Sequence, residues 1–209
     1  MEILVDNFKD FEQRDRANFV NCLSGFKSLC LVGTKDSHGN ENLAPISSVF
    51  HLGANPALMG MIFRPHSTPR HSLENILESK FFTLNHVNES IVKNAHQCSA
   101  RYDKNESEFD MSSLSADYQN EFFAPFVKES NLKIALEYVE HQTLEVNNTV
   151  LVIAKVLFVY MPSEALREDK SVDIEKAGTI TVSGLDCYHS TQEIVRLSYA
   201  KKDKKLREL

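Results

Sequence analysis

From Ser28 to Tyr160 the chain is a succession of short apolar runs cut by turn residues, and that rhythm is what most restricts its fold. The runs Ser28–Thr34 (SLCLVGT), Leu58–Phe63, Phe81–Val87 (FFTLNHV), Leu132–His141 and Thr149–Tyr160 are rich in residues that suit a pleated, half-buried surface. Thr149–Tyr160, dense in Val, Ile, Leu and Phe, reads as a central strand. Asp36 to Asn40 (DSHGN) marks a hairpin turn, Gly53, Asn55 and Pro56 break the chain again, and Thr179–Ser183 is a last strand or part of a turn.

Helical spacing is sparse. Phe11, Phe19, Cys22 and Leu23 repeat as on a helix over Asp10–Leu23, with Gly25 ending it. Thr68 and Pro69 read as the cap and first position of a helix whose apolar face is Leu73, Ile76 and Leu77. Ser90–Gln97 suits a short helix. Strands outnumber helices and do not alternate with long ones, so a parallel doubly wound sheet is disfavoured. The expectation is a mainly β fold, an antiparallel barrel with attached helices. Over about 101–130 the pattern weakens into helical and irregular pieces, read as an excursion from a single domain spanning 1–209.

At 209 residues and 42% apolar content the chain can bury a core. Its 23 basic against 29 acidic residues give −6, which argues against nucleic acid as a partner. The basic end, KKDKKLREL, reads as a solvated tail. The start lacks the pattern of a secretory signal, and the longest apolar stretch, Val150–Met161, is interrupted by Lys155 and too short to span a bilayer. The four cysteines form no CxxC pair. A cytoplasmic protein with reduced thiols, bound to no membrane, is expected.

Common catalytic signatures are missing. The chain has no GxGxxG, GxxxxGK[ST], HExxH or GxSxG. His86, His96 and Cys98 match no metal template, so no metal is expected. No Ser or His arrangement marks an activated nucleophile, and no catalytic side chain is named.

What remains is the stretch from Asn42 to Asn75. NLAPISSVF (Asn42–Phe50) reads as one strand of small residues, with Ala44, Ile46, Ser48 and Phe50 on one face and Pro45, Ser47, Val49 and His51 on the other. Small residues let a planar ring approach the backbone, whose amides then donate to ring atoms. Pro45 lacks an amide hydrogen and marks a strand edge or irregularity. Further on, RPHSTPRHSLENI places Arg64 and Arg70 around a helix start, with Ser67, Thr68 and Ser72 as hydroxyl donors. Free amides at a helix start and arginine forks suit a phosphate monoester. The same residues also suit a plain barrel strand with a bulge and a capped helix with surface ion pairs.

NLAPISSVF and RPHSTPRHSLENI, with SLCLVGTKDSHGNENLAP before them, resemble the flavin reductase family, whose fold is the FMN-binding split barrel. His71 and Ser72 stand where that family commonly has Asp and Thr. The resemblance implies a homodimer with FMN near the subunit interface. It implies that Asn42, Ala44, Ser47, Ser48, Val49 and Phe50 border the isoalloxazine and ribityl groups, and that Arg64, Arg70 and Ser72 hold the phosphate. GLDCYHS (Gly184–Ser190) resembles a late segment that borders the flavin, with Tyr188 or His189 against nicotinamide; a turn with a packed tyrosine is the plainer reading. The implied reaction is hydride transfer from NAD(P)H to flavin and on to an acceptor, a small molecule or a partner oxygenase. The alternatives are an FMN-binding electron carrier reduced by a partner, an oxidase of the pyridoxamine-phosphate type, and a structural domain that no longer binds the ligand.

Overall fold

The computed structural model describes residues 2–209. Strands β1 (Cys30–Lys35), β2 (Glu41–Ile46), β3 (Val49–Ala54), β4 (Ala57–Phe63), β5 (Phe81–His86), β8 (Lys133–Thr143) and β9 (Val150–Tyr160) form one seven-stranded antiparallel sheet. Two short pairs stand outside it: β6 (Ala116–Asp117) with β7 (Phe126–Val127), and β10 (Thr181–Ser183) with β11 (Cys187–His189). The strand order is β2-β1-β5-β8-β9-β4-β3. Consecutive strands β2 and β3 therefore lie at opposite edges, and the chain passes from one edge to the other through Ser47 and Ser48. The sheet curls toward closure there without a continuous ladder. This is the mainly β, split-barrel architecture that the sequence suggests, with β9 internal as its composition requires.

Two apolar layers sit on the two faces of the sheet. Cys30 and Val32 of β1, Phe82 and Leu84 of β5, Leu136 of β8 and Val152 of β9 face the barrel interior. Helix α2 (His71–Ser79) closes one end of that interior with Leu73 and Ile76. The alternate residues Leu29, Leu31 and Leu43 face outward, where Ile91 and Ala95 of the stretch leading into and through α3 (Val92–Gln97), Phe109 of α4 (Glu108–Ser112), Leu114 and Val127 cover them. The excursion at 101–130 is thus a second layer on the outer face. Thr83 and Asn85 of β5 fasten it: the Thr83 hydroxyl donates to the Pro125 carbonyl (2.6 Å), and the Asn85 side-chain Oδ1 accepts the Val127 amide (2.9 Å).

Three readings of the sequence are corrected. Asn42–Phe50 is not one strand but the end of β2, a two-residue crossing and the start of β3, so the two faces assigned to it hold only as far as Ile46. Helix α2 begins at His71 with Arg70 as its cap, not with Thr68 and Pro69. Glu74 decides this start, because its carboxylate accepts the Arg70 amide (3.1 Å) and meets His66 (2.8 Å), while Pro69 disfavours helical geometry at Thr68. The first helix, α1 (Gln13–Cys22), is shorter than its spacing suggests and buries none of its residues; Phe8 stacks on Phe19, and Phe11 meets both rings edge-on. Gly25 follows it at φ 72°, a left-handed conformation that favours glycine, and its amide caps the Cys22 carbonyl (3.0 Å).

His86 gives the fold a pH dependence. Burial pushes its pKa down to about 4, and its Nδ1 meets the Thr179 hydroxyl at 2.9 Å. An unfolded chain protonates that imidazole near the ordinary value of about 6.5. The unfolded state therefore binds more protons between those values, so stability is complete above about 6.5 and falls as the pH drops toward 4. Because His86 keeps a partly exposed edge, we expect a loss of about 2 kcal/mol rather than the full amount that burial alone implies. Urea unfolding of native and His86→Gln protein at pH 7 and pH 4.5 checks this. The variant should lose less stability over that interval, and equal losses would remove His86 as the cause.

Candidate flavin site

The N-terminus of α2 and the end of the β1–β2 hairpin are joined by two buried amide–hydroxyl bonds. Asn42 Nδ2 donates to Ser72 Oγ (2.7 Å), and Asn75 Nδ2 donates to Thr34 Oγ1 (3.1 Å). Thr34 and Asn42 are cross-strand partners, so the helix sits squarely on one end of the hairpin. The first intrahelical bond of α2 runs from the Glu74 amide to the Arg70 carbonyl (2.9 Å). The amides of His71, Ser72 and Leu73 consequently have no carbonyl within the helix to bind. Arg70 reaches only the Pro65 carbonyl with its Nε (3.3 Å), and neither Arg64 nor Arg70 forms an ion pair among the described residues. Two arginines without an ion pair thus flank a helix start whose first amides have no helical acceptor, where the helix dipole also favours an anion.

Along β2, away from α2, the groups differ. β2 is an edge strand, and the Leu43 amide, which points away from β1, donates to Glu108 Oε2 (2.9 Å). Glu108 is buried on α4, and burial pushes its carboxyl above the usual range. Pro45, two residues on, presents no donor to the same edge, which is how an edge strand tolerates proline. At the crossing, the Ser48 hydroxyl donates to the Ile62 carbonyl (2.7 Å) and accepts the Ile62 amide (3.3 Å). That side chain takes the place of backbone pairing, so among the described residues the amides of Ser47 and Ser48 donate to nothing in the chain. Unpaired donors on this path thus lie at the crossing. From Asn42 to Ser47 the strand spans about 17 Å, at roughly 3.3 Å per residue. That is comparable with the length of a flavin mononucleotide from ring to phosphate, with small Ala44 between.

Beside the crossing, the Ser28 hydroxyl holds the Val49 carbonyl (3.0 Å), and the Phe50 ring lies directly over Gly60, where a Cβ would overlap it. Of the residues assigned to the site, the structure brings Asn42 and Ser72 into contact and sets Arg70 at the same helix start, with Arg64 in the turn before it. Ser47, Ser48, Val49 and Phe50 gather at the far end of the strand. Tyr188 and His189 lie on β11, one strand beyond the β10 residue Val182 that bridges to Lys27. The Tyr188 hydroxyl is bound to His96 Nδ1 (2.6 Å), and His189 bonds Ser183 (2.8 Å) and packs on Phe26. These two rings are therefore anchored to α3 and to the segment before β1. His86, His96 and Cys98 each have separate partners, and Cys98 is a buried thiol with its pKa pushed up to about 11 by burial. Sequence reasoning missed Glu108, because a buried carboxylate that satisfies a strand-edge amide leaves no local signal.

The sequence from residue 26 to 180 matches the model of the flavin reductase-like domain family. The chain is a member of the flavin reductase-like family. Among solved structures, a split-barrel protein from Shewanella frigidimarina NCIMB 400, assigned as a flavin reductase, is 50% identical with a TM-score of 0.91, covering 96% of this chain and 100% of that one. Nitrilotriacetate monooxygenase component B from Bacillus cereus is 21% identical with a TM-score of 0.82, covering 94% of this chain and 100% of its own. The 2-nitrobenzoate 2-nitroreductase of Pseudomonas fluorescens is 18% identical with a TM-score of 0.80, covering 98% and 99%. The last two likenesses show the shared fold. No curated protein is similar enough in sequence to match the chain. This flavin reductase-like protein is accordingly a flavin-related oxidoreductase, and no helix among its described residues is long and apolar enough to cross a membrane.

Ser48 offers a local check. Ser48→Ala leaves the Ile62 amide and carbonyl without their side-chain partner, which costs about 1 kcal/mol of stability. The β2–β3 crossing then relaxes, and flavin affinity should fall several-fold. Isothermal titration with FMN beside a urea curve reads both, and a change in neither would mean that the hydroxyl does not shape the crossing.

Proposed function

We propose that the chain binds FMN along β2 and carries a hydride from NAD(P)H through the flavin to a second acceptor. The observation that carries this reading is the pairing of unsatisfied groups at the two ends of one strand: among the described residues, free amides at Ser47 and Ser48, and about one flavin nucleotide away a helix start flanked by Arg64 and Arg70, where Ser72 is held by Asn42. The residues present fit the cofactor. Ser47 and Ser48 donate to ring acceptors, Ala44 leaves room for the ribityl chain, and the α2 amides with the arginines take the phosphate. When bound, the flavin supplies the hydride-accepting chemistry, while the protein orients it and sets its electronics. Backbone donors at the crossing favour extra negative charge on the ring, as fixed dipoles do at developing anions. No side-chain acid or base is needed for that step. The buried thiol Cys30, its pKa pushed up to about 12 by burial, offers no nucleophile.

On one chain the cradle is a shelf left partly open at Ala44, Ser47 and Ser48. Edge strand β3 carries Phe50 and Leu52, both substantially exposed, and two open hollows lie elsewhere, the larger of them a cleft of about 420 Å³ near Asn88 and Gly178. A second copy of the chain closes the shelf in this reading and makes the working unit a homodimer. The reaction then proceeds in the cytoplasm, where NAD(P)H is available. An oxygenase component or a small oxidised compound serves as acceptor.

Anaerobic mixing of the FMN-loaded protein with NADH and with NADPH tests the reading. Rapid bleaching of flavin absorbance by either one is expected. Tight FMN binding without bleaching would turn the chain into a carrier served by a partner reductase, and failure to bind FMN would end the proposal.

A further inference from the structure

The C-terminal segment does not behave as a solvated tail. From Ile194 to Leu209 it forms a small hairpin of its own: the Ser198 amide donates to the Arg207 carbonyl (2.8 Å), the Leu209 amide to the Arg196 carbonyl (3.0 Å), and Leu197 faces Glu208 across the turn. Its root is pinned by two ion pairs, Arg167–Glu193 and Arg196–Asp169, each at 2.6 Å. Beyond that root its own body does not cover it. Ile194 is 96% exposed and Tyr199 86%, and Val195, Leu197, Leu206 and Leu209 are exposed as well. A lone two-stranded hairpin is marginal in water, and ordering each residue costs about 1–2 kcal/mol of backbone entropy. A hairpin that presents apolar side chains so openly needs a surface to lie on.

Charge narrows what that surface can be. The segment from Ile194 to Leu209 carries six Lys or Arg and two Asp or Glu, a balance of +4, which leaves −10 for the rest of a chain whose total is −6. The body is thus acidic and the arm basic. The body also exposes apolar side chains that nothing in a single chain covers, among them Val20, Leu23 and Phe26 beside α1. A surface that is acidic overall and carries uncovered apolar residues matches the arm in both respects, and a second copy of this chain supplies it. Sixteen residues from each chain approach the roughly 20–30 per side of a standard interface.

We propose that the Ile194–Leu209 hairpin is an exchanged arm, laid by each subunit across the body of a second copy of the same chain. The exchange is reciprocal, as two-fold symmetry requires, so each dimer gains two such contacts. The apolar side chains give the arm its hold, and the lysines make its capture sensitive to salt. This deepens the homodimer reading above by naming the segment that joins the subunits, and it does not depend on flavin.

The chain contains no tryptophan, so a single reporter can be read without background. Full-length protein carrying Tyr199→Trp should emit at short wavelength while dimeric. Its emission should shift to the red on dilution, in step with the change from twice the chain mass to one seen by sedimentation. Full-length Ile194→Ser/Leu206→Ser and Lys201→Glu/Lys204→Glu variants should raise the dimer dissociation constant at least tenfold, the second with little remaining response to salt. Red emission from Tyr199→Trp at every concentration would mean that the arm lies in water. Blue emission that ignores dilution would mean that it folds onto its own body. A dimer of unchanged affinity in both double variants would show that the subunits join without it. Each of these three results overturns the proposal. FMN titration of the same variants keeps the two readings apart, because loss of flavin binding with an intact arm-dependent dimer would count only against the cofactor assignment.

Discussion

Gly33→Ala should destabilise the protein by about 3 kcal/mol, the upper part of the usual range for overpacking a filled core. Gly33 lies in β1 between β2 and β5, opposite Leu43 on one side and Thr83 on the other. A Cβ there would overlap the Pro125 carbonyl oxygen and the Thr83 hydroxyl, which are themselves hydrogen-bonded at 2.6 Å. Neither neighbour can retreat easily. Pro125 is backbone in a strap whose Val127 amide is held by Asn85, and Asn85 Nδ2 is held in turn by the Leu31 carbonyl (3.1 Å). Accommodating one methyl group therefore means lifting the 125–127 strap off the sheet and opening the outer layer at Val127. For a chain of this length about 3 kcal/mol corresponds to a fall in Tm of roughly 6–12 °C. Differential scanning calorimetry of the variant against native protein measures it. A Tm within about 2 °C of the native value would mean that the strap yields freely, contrary to its bonding.

Arg70→Ala should weaken FMN binding by about 1.5–3 kcal/mol, the worth of a charged hydrogen bond, or roughly ten- to a hundredfold in Kd. In the structure the Arg70 guanidinium stands at the start of α2 with one weak tether, the Pro65 carbonyl at 3.3 Å, and no carboxylate partner among the described residues. A side chain so placed has its charge free for a phosphate. Riboflavin, which lacks the phosphate, provides the control: its affinity should change little in the same variant. Fluorescence-quenching titrations of both ligands separate the possibilities. Unchanged FMN affinity would remove Arg70 from the phosphate shell, and an equal loss for both ligands would show that the arginine acts by shaping the turn.

The comparison of sequence and structure divides along a physical line. Most strands were legible because their signal is local: β5, β8 and β9 lie within a residue or two of the apolar runs that mark them, and turn residues close each one. Pro45 indicated an edge because proline removes a donor wherever it sits. The start of α2 was misplaced because the deciding interaction is a side chain from the next turn, Glu74, which outweighs the pattern of Thr68 followed by Pro69. The crossing at Ser47–Ser48 was hidden for a similar reason. NLAPISSVF alternates well enough for one strand, and only the Ser48 hydroxyl, by standing in for backbone against Ile62, turns it into two strands at opposite edges.

By itself the sequence determined the elements: short β runs with little helix, a small-residue strand, and an arginine-flanked helix start with the composition of a phosphate site. The runs, the small residues and the flanking arginines follow from side-chain shape, propensity and charge, which act over a few residues, whereas a phosphate role for that helix start is the proposal made above. The tertiary structure alone decided which groups are left unsatisfied. Pairing across the sheet used up the Leu43 amide on Glu108 while leaving the Ser47 and Ser48 amides free, drew Asn42 onto Ser72, and left the C-terminal hairpin uncovered. Whether a donor is free or an apolar side chain is buried depends on partners distant in the chain, and that is settled only when the strands take their places.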